Sequence, residues 1–371
     1  MSTFIGEPQM SNMAHRIRIR KASLLDVEEF IRTSRAEGLP SKVCDPVHIA
    51  WKHLESPDDA STAVDLLKNE EVLGRLWVTR RQWLIDGIQV SMGHPQDLLI
   101  LHGGRSLREI ADLINAAFNT ALSGGGIMYH GSNENSDDIY RRMYRTTESF
   151  FLQASVIAIA PISLLSRQKD WFFATKRIFL DEGIRRFLNW LESIVRSDLT
   201  LRTLEESREL SKILGEFRLA EPCAAIRSEE FFNWRFKMDP NSDYVVRIIQ
   251  VKNQDVGYVV WTDVTAFGVK ARVVVDIVWT KSLTRINRIK LWLTVLAYNN
   301  SEFELLLFIS NWENRTLRSI GSFPLIKVPN RFMPQEIPVY LRTDADVMPH
   351  SQIAHQQFQS AYFTLSDLDF F

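Results

Sequence analysis

The chain has 371 residues, 45% of them hydrophobic and 24% charged, with a formal net charge of −1. That length is long for one hydrophobic core, so two domains are expected. The ordinary composition excludes a disordered or fibrous chain, and the near-neutral charge argues against a dedicated nucleic-acid binder.

Residues 1–15 carry no apolar core of the kind a signal peptide needs and are expected to form a flexible tail. The two cysteines, Cys44 and Cys223, are too few to staple a chain of this size and fit a reducing compartment. No run approaches the ~18 consecutive apolar residues of a membrane span. The longest candidate, residues 150–165, is broken by Gln153, Ser155, Pro161 and Ser163. A cytoplasmic protein with no membrane span is expected, and its oligomeric state is left open.

Taken in order, Arg16-Ile17-Arg18-Ile19-Arg20 alternates with the period of a half-buried strand, placing the arginines on a solvated face and both isoleucines inward. Ser23 starts a helix that Gly38-Leu39-Pro40 stops. A second helix is expected over residues 60–68. Residues 73–92 form a hairpin whose Asp86-Gly87 turn suits a type I′ geometry. A further strand opens at Asp97. Ser106-Leu107-Arg108-Glu109 is a capping box, and Leu107, Ile110, Ile114, Ala117 and Ala121 line the face of the helix it starts. A strand follows at residues 127–129, another at 150–165, and a linking helix at 171–196.

The second half repeats this order. Asp97 to Asn135 spans 38 positions, as does Asp276 to Asn314. Leu73-Gly74-Arg75-Leu76-Trp77 is answered by Val256-Gly257-Tyr258-Val259-Val260-Trp261. Such self-similarity points to two copies of one module. A hairpin turn is expected at residues 253–255, with Asp276 opening the next strand, and a last strand at residues 362–365 packing back on the sheet. The expected division is a tail (1–15), a first module (16–166), a linking helix (167–203) and a second module (204–371).

Residues 227–261 carry Arg227, Glu229, Trp234-Arg235-Phe236, Pro240, Tyr244 and Gly257-Tyr258. This pattern resembles the GNAT (N-acetyltransferase) superfamily, in particular two-module GNAT-like proteins of bacteria. The ending Tyr362-Phe363-Thr364-Leu365-Ser366-Asp367-Leu368-Asp369 is similar to theirs. The resemblance implies an α/β (α+β) fold of two tandem GNAT-like modules, each a mixed, mostly antiparallel sheet flanked by helices. It also implies acetyl-CoA or another acyl-CoA as co-substrate, bound where a central strand meets the next helix. A helix N-terminus there offers free N–H groups and a positive dipole end to phosphate.

The superfamily's loop of Arg or Gln, two residues, Gly, one residue, then Gly or Ala is absent from both copies. The first offers His102-Gly103-Gly104-Arg105-Ser106 and the second only the cations Lys281, Arg285 and Arg288. The expected cofactor side is therefore the first copy, with Ile100, His102, Gly103, Gly104, Arg105, Ser106 and Asn135 as its residues. Asp97 and Asp276 are candidate bases, since carboxylates at buried strand ends need a reason. Tyr144 is the candidate acid, standing near the position where the family places a tyrosine. Trp234, Arg235 and Tyr258 are candidates for holding the acceptor. No metal-ligand spacing, phosphate loop, dinucleotide fingerprint or nucleophile elbow is present.

The function implied is transfer of an acyl group from acyl-CoA to an amine of a sugar, amino acid or peptide, with the acceptor between the modules. Two alternatives stand beside it. One is a non-catalytic GNAT-fold binding or scaffold protein with degraded cofactor loops. The other is a Fem-type aminoacyl-tRNA-dependent transferase, which the balanced charge disfavours.

Overall fold

The computed structural model describes residues 15–39, 44–101, 106–123, 125–131, 147–158, 183, 186, 198–266, 269–280, 284–298, 303–329, 337–344 and 356–368. The expected linking helix at 171–196 lies outside the described residues except for Gly183 and Arg186, as do the 102–105 loop, Asn135 and Tyr144.

Strand β1 (Arg16–Lys21) leads into α1 (Leu24–Ala36) and α2 (Pro46–Leu54). Helix α2 begins at Asp45, whose carboxylate accepts the Val47 N–H, with proline at its first position. The helix expected over residues 60–68 is instead β2 (Thr62–Lys68). Residues 63–67 of β2 are all buried, so a two-residue alternation cannot show in the sequence and the leucines mislead.

Strands β3 (Glu71–Ile85) and β4 (Ile88–Ile100) form the expected hairpin, with φ of 52° at Asp86 and 78° at Gly87. The strand expected to open at Asp97 is the end of β4. Arg75 pairs with Leu99 and Trp77 with Gln96, so Asp97 and Leu98 form a bulge, and Asp97 takes a left-handed φ of 54°. Helix α3 (Leu107–Leu122) is capped as expected, Ser106 accepting the Glu109 N–H at 3.2 Å. It buries Leu113, Ile114, Ala117, Phe118 and Ala121 against β2 and β3, while Leu107 is exposed. A Cβ on Gly93 would lie 2.5 Å from the Ala121 backbone, so only glycine admits α3 this close to β4. Strands β5 (Ile127–Gly131) and β6 (Thr147–Ala158) follow.

The second half runs β7 (Leu199–Thr203), α4 (Ser211–Ala220), β8 (Cys223–Ala225), α5 (Glu229–Phe236), β9 (Val245–Val251), β10 (Gln254–Ala266) and β11 (Val269–Trp279). It continues with α6 (Arg285–Ala297), β12 (Leu305–Asn311), α7 (Arg315–Ile320), β13 (Ile326–Lys327) and β14 (Ile337–Thr343). The β9–β10 turn falls at Lys252-Asn253, slightly earlier than expected. Strand β11 begins at Val269, so Asp276 lies inside it. Gly74 faces Ile100 and Gly257 faces Trp279, so the two hairpins share one register. Cys44 and Cys223 are both free and buried, and burial lifts the Cys223 thiol to about 12.

The sheet order is β1-β2-β3-β4-β5-β14-β6-β12-β11-β10-β9-β7. Around its centre this is a palindrome of the two copies: β4 runs parallel to β5, and β11 runs parallel to β12. The halves exchange strands at the middle. Strand β14, from the second half, pairs with β5, and β6, from the first, pairs with β12. The last strand expected at residues 362–365 is reduced to isolated bridges at Tyr362 and Thr364.

Of the β1 arginines only Arg16 is solvent-exposed. Arg18 and Arg20 both reach the buried carboxylate of Asp65, which also accepts from the Arg75 Nε at 2.5 Å. Ile17 packs inward but Ile19 is exposed. Burial alone would raise the Asp65 pKa, but Arg75, Arg18 and Arg20 together hold it down. Replacing Asp65 by alanine removes the carboxylate that Arg75, Arg18 and Arg20 share, leaving Arg75 with Asp26 at 3.2 Å and Glu29 at 2.8 Å and the two β1 arginines short of their common partner. The expected loss is ~3–5 kcal/mol of stability, measured by urea unfolding at pH 7. A loss below ~1 kcal/mol would show that Arg75 is satisfied without it.

Candidate functional site

Each copy contains a place where its parallel strands part. In the second, β11 and β12 pair from Ala271–Leu305 to Val274–Phe308 and then diverge. The chain's own C-terminal segment closes that opening. Asn311 donates from its backbone to the Phe363 carbonyl at 3.0 Å and from its side chain to the Gln359 and Ala361 carbonyls at 2.9 Å. The Tyr362 hydroxyl donates to the Ile277 carbonyl, and the Thr364 hydroxyl donates to Asp276 at 2.8 Å. Asp276 and Asp367 share Arg227, at 3.0 and 2.9 Å.

In the first copy β4 and β5 pair only at Gly93–Met128. Beyond it, the β4 edge from His94 to Ile100 has no strand partner on that side among the described residues. A strand edge of this kind can pair with an extended, amide-bearing ligand. The N-terminus of α3 follows this edge.

A cleft opens where these strands part. His94 and Tyr129, the residues after the last paired ones, stack at 4.6 Å and form part of its wall. Lys52, Ser56, Asp58, Thr79, Arg80 and Arg81 complete the first half's contribution, and Phe231, Trp234 and Asp367 supply the second's. Residues of both halves therefore line this cleft.

The halves are joined beside it by two tryptophans. Trp51 and Trp234 stack at 4.9 Å, and each indole N–H donates to the other's backbone carbonyl, at 2.9 and 3.0 Å. The two stand 183 positions apart, as Gly74 and Gly257 do. They occupy equivalent places in α2 and α5. The shared pattern is His48-Ile49-Ala50-Trp51-Lys52-His53 against Phe231-Phe232-Asn233-Trp234-Arg235-Phe236. It is the sequence signal that would have found this junction.

The expected site residues fall into three groups. Asp276 and Tyr258 are fully buried, with the Tyr258 hydroxyl donating to Asp276 at 2.7 Å. Burial would raise the Asp276 pKa, but Arg227 outweighs it and holds the carboxyl below its usual range. A buried carboxylate held ionised by an arginine is a weak base, so Asp276 fits a counter-ion better than the expected base. Burial lifts the Tyr258 hydroxyl well above the usual tyrosine range, with Asp276 adding to it, and Tyr258 faces the core rather than an acceptor. Arg235 is also core, 3.4 Å from Asp239.

Asp97, Ile100 and Ser106 border the first opening. Burial would raise the Asp97 pKa, but Lys52 and His53, each 2.9 Å away, bring it far below the usual range. His53 in turn meets the Ser61 hydroxyl at 3.0 Å and stacks on Trp77 at 4.3 Å. Asp97 thus positions α2 and fits poorly as a base. Arg288, one of the second copy's expected phosphate cations, is spent on the Phe323 and Ser319 carbonyls at 2.7 Å.

Trp234 alone of the expected acceptor residues faces the cleft. Asp58, Arg81, His94 and Tyr129 were missed. They lie on separate elements with no shared spacing, so no motif announces them. Burial raises the Asp58 pKa, and the nearby Arg81 charge only partly offsets this. Among the described residues no three His, Cys, Asp or Glu side chains are grouped to hold a metal, and no helix is long and apolar enough to cross a membrane.

This is the GNAT fold in a two-module form. The chain is similar to a GCN5-related N-acetyltransferase from Anabaena variabilis, with TM-score 0.58 and 12% identity over 88% of this chain and 73% of that one. It is similar to a probable N-acyltransferase of Enterococcus faecalis V583, with TM-score 0.55, 13% identity and coverage of 88% and 72%. It is also similar to the N-myristoyltransferase of Saccharomyces cerevisiae with bound myristoyl-CoA, with TM-score 0.55, 8% identity and coverage of 91% and 80%. No family model matches the sequence, and no curated protein matches it.

A carboxylate whose folded pKa is depressed stabilises the fold above its unfolded value near ~3.9 and loses that contribution as pH falls. Asp276, Asp97 and Asp65 all have this sign. The urea midpoint should therefore drop between about pH 5 and pH 3. Asp276→Asn should be less stable than wild type at pH 7 and show a shallower drop. An unchanged slope would remove Asp276 from this role.

Proposed function

We propose that the protein is an acyl-CoA-dependent N-acyltransferase. The acyl-CoA lies along the open β4 edge, with its phosphates toward the N-terminus of α3, and the amine acceptor sits in the cleft. The observation that carries this reading is the asymmetry of the two openings. One is filled by the C-terminal segment, and the other gives onto a cleft lined by both halves. The likeness to acyltransferases of the same fold supports the reaction class.

The donor end is only partly provided for among the described residues. Ser106 and Glu109 satisfy each other at the start of α3, the hydroxyl 2.5 Å from the carboxylate. An acidic first turn does not favour phosphate, so the cation expected to balance it is Arg105. Asp58 is the base. An amine enters as its ammonium and passes a proton to the Asp58 carboxylate. The freed lone pair attacks the thioester carbonyl, the C–N bond forms, the C–S bond breaks, and the departing thiolate takes up the second proton that the nitrogen sheds as it becomes an amide. A carboxylate with a raised pKa suits this task better than Asp97 or Asp276.

Thermal unfolding with acetyl-CoA and longer acyl-CoAs tests the reading. A ligand at about a hundred times its dissociation constant stabilises by roughly 2.7 kcal/mol, so at least one ester should raise the Tm. No shift with any ester would sink the proposal.

Asp58→Asn should keep that shift and lower kcat/KM by ~10²–10⁴-fold. As a base with a raised pKa, Asp58 must lose its proton, so wild-type activity should rise with pH through that pKa. The variant should lack this limb, and a retained limb would assign the base elsewhere.

A further inference from the structure

The cleft contains an arginine with more donors than acceptors. Arg81 is 8% exposed, yet its Nε and Nη2 are buried with no hydrogen-bond partner among the described residues. Its Nη1 donates to the Ser366 carbonyl at 3.3 Å. Nη2 lies 3.3 Å from Asp367 Oδ1, without hydrogen-bond geometry. The guanidinium carbon is 3.7 Å from the centre of the Phe231 ring, which fixes the plane of the group. Buried polar groups left unpaired in a native fold call for an explanation. The Nε–H and Nη2–H edge of the guanidinium, with Nη2 ion-paired to Asp367 but not hydrogen-bonded, is the fork that matches the two oxygens of a carboxylate.

The surrounding charges narrow the ligand. Lys52 is matched by Asp97 at 2.9 Å, and Arg80, also in the wall, turns its guanidinium to the Thr120 carbonyl at 2.8 Å and the Ser123 hydroxyl at 3.2 Å. Arg227 faces both Asp276 and Asp367, so Arg81 is the cation left to balance that trio. Asp58 then adds one further negative charge when ionised. A phosphate dianion entering here would meet Asp58 and Asp367 together, whereas a zwitterion changes the net charge by nothing. Its ammonium can face Asp58 while its carboxylate faces Arg81. Phe231 and Trp234 supply the cleft with an apolar wall.

We propose that the acceptor is a free amino acid or similar small amino-carboxylate, with Arg81 as the residue that binds its carboxylate. This rests on the acyltransferase reading for its purpose, but the binding itself can be measured without any donor. Titration calorimetry on the full-length protein would compare the proteinogenic amino acids with their amides and with the corresponding decarboxylated amines. At least one amino acid should bind tenfold or more tighter than both of its counterparts. Equal binding within each set, or no binding by any amino acid, would overturn the proposal.

Arg81→Gln should abolish the preference for the carboxylate. Arg81→Lys, which keeps the charge but not the fork, should retain only part of it. If the glutamine variant unfolds, the wild-type comparison still decides. The shift with acyl-CoA is a separate readout: its absence, with amino-acid selectivity intact, would refute the transferase reading and the acceptor role with it, and leave the amino-carboxylate site at Arg81 standing.

Discussion

Arg227 is buried between two carboxylates, and most of what distinguishes the halves depends on it. A cation taken out of water must be repaid by close, well-directed counter-charges. Asp276 on β11 provides one, and Asp367, far along the chain, provides the other. Meeting both brings the C-terminal segment across β11 and β12. Thr364 and Tyr362 then bond to the same strands. The second opening is closed as a result of satisfying one guanidinium. The first copy has no such arginine. Its corresponding carboxylate, Asp97, is neutralised from α2 by Lys52 and His53, and nothing among the described residues crosses its opening.

The two copies therefore meet one structural requirement in two ways. A bulged strand beneath a helix presents an aspartate that must be matched. Where the match comes from the local helix, the strand edge stays open. Where it comes with a distant segment, the edge is covered. The strand order is nearly palindromic, and the reciprocal tryptophans preserve the same near-symmetry at the junction. The two halves also depart from this symmetry in their side chains. Arg81, facing Phe231 and Asp367 across the junction, is the clearest case.

Local features were legible in the sequence. Asp86-Gly87 announced its turn, Ser106 and Glu109 their cap, and the matched 38-residue spans the duplication. What failed was information carried by other parts of the chain. Strand β2 reads as a helix because its alternation vanishes when both faces are covered. Arg18 and Arg20 look like solvent-facing cations until Asp65 is placed beneath them. Among candidate site residues, Trp234 lines the cleft, and an aromatic-rich motif marks it in the sequence. Asp58 and Arg81 carry no such mark, because their meaning comes from the cleft they share. Asp276 was taken for a base on its strand position alone, and only its burial against Arg227 shows a counter-ion.

The exchange of β6 and β14 across the centre has a kinetic consequence. Strand β5 finds its antiparallel neighbour in β14, a segment the ribosome adds long after β5 itself. Pairings of such separation raise contact order and slow folding. Until β14 arrives, β5 carries an uncapped edge, and such an edge is a template for mispairing. The first half is thus held in a provisional state through most of translation, and the two modules reach their final form together rather than in turn.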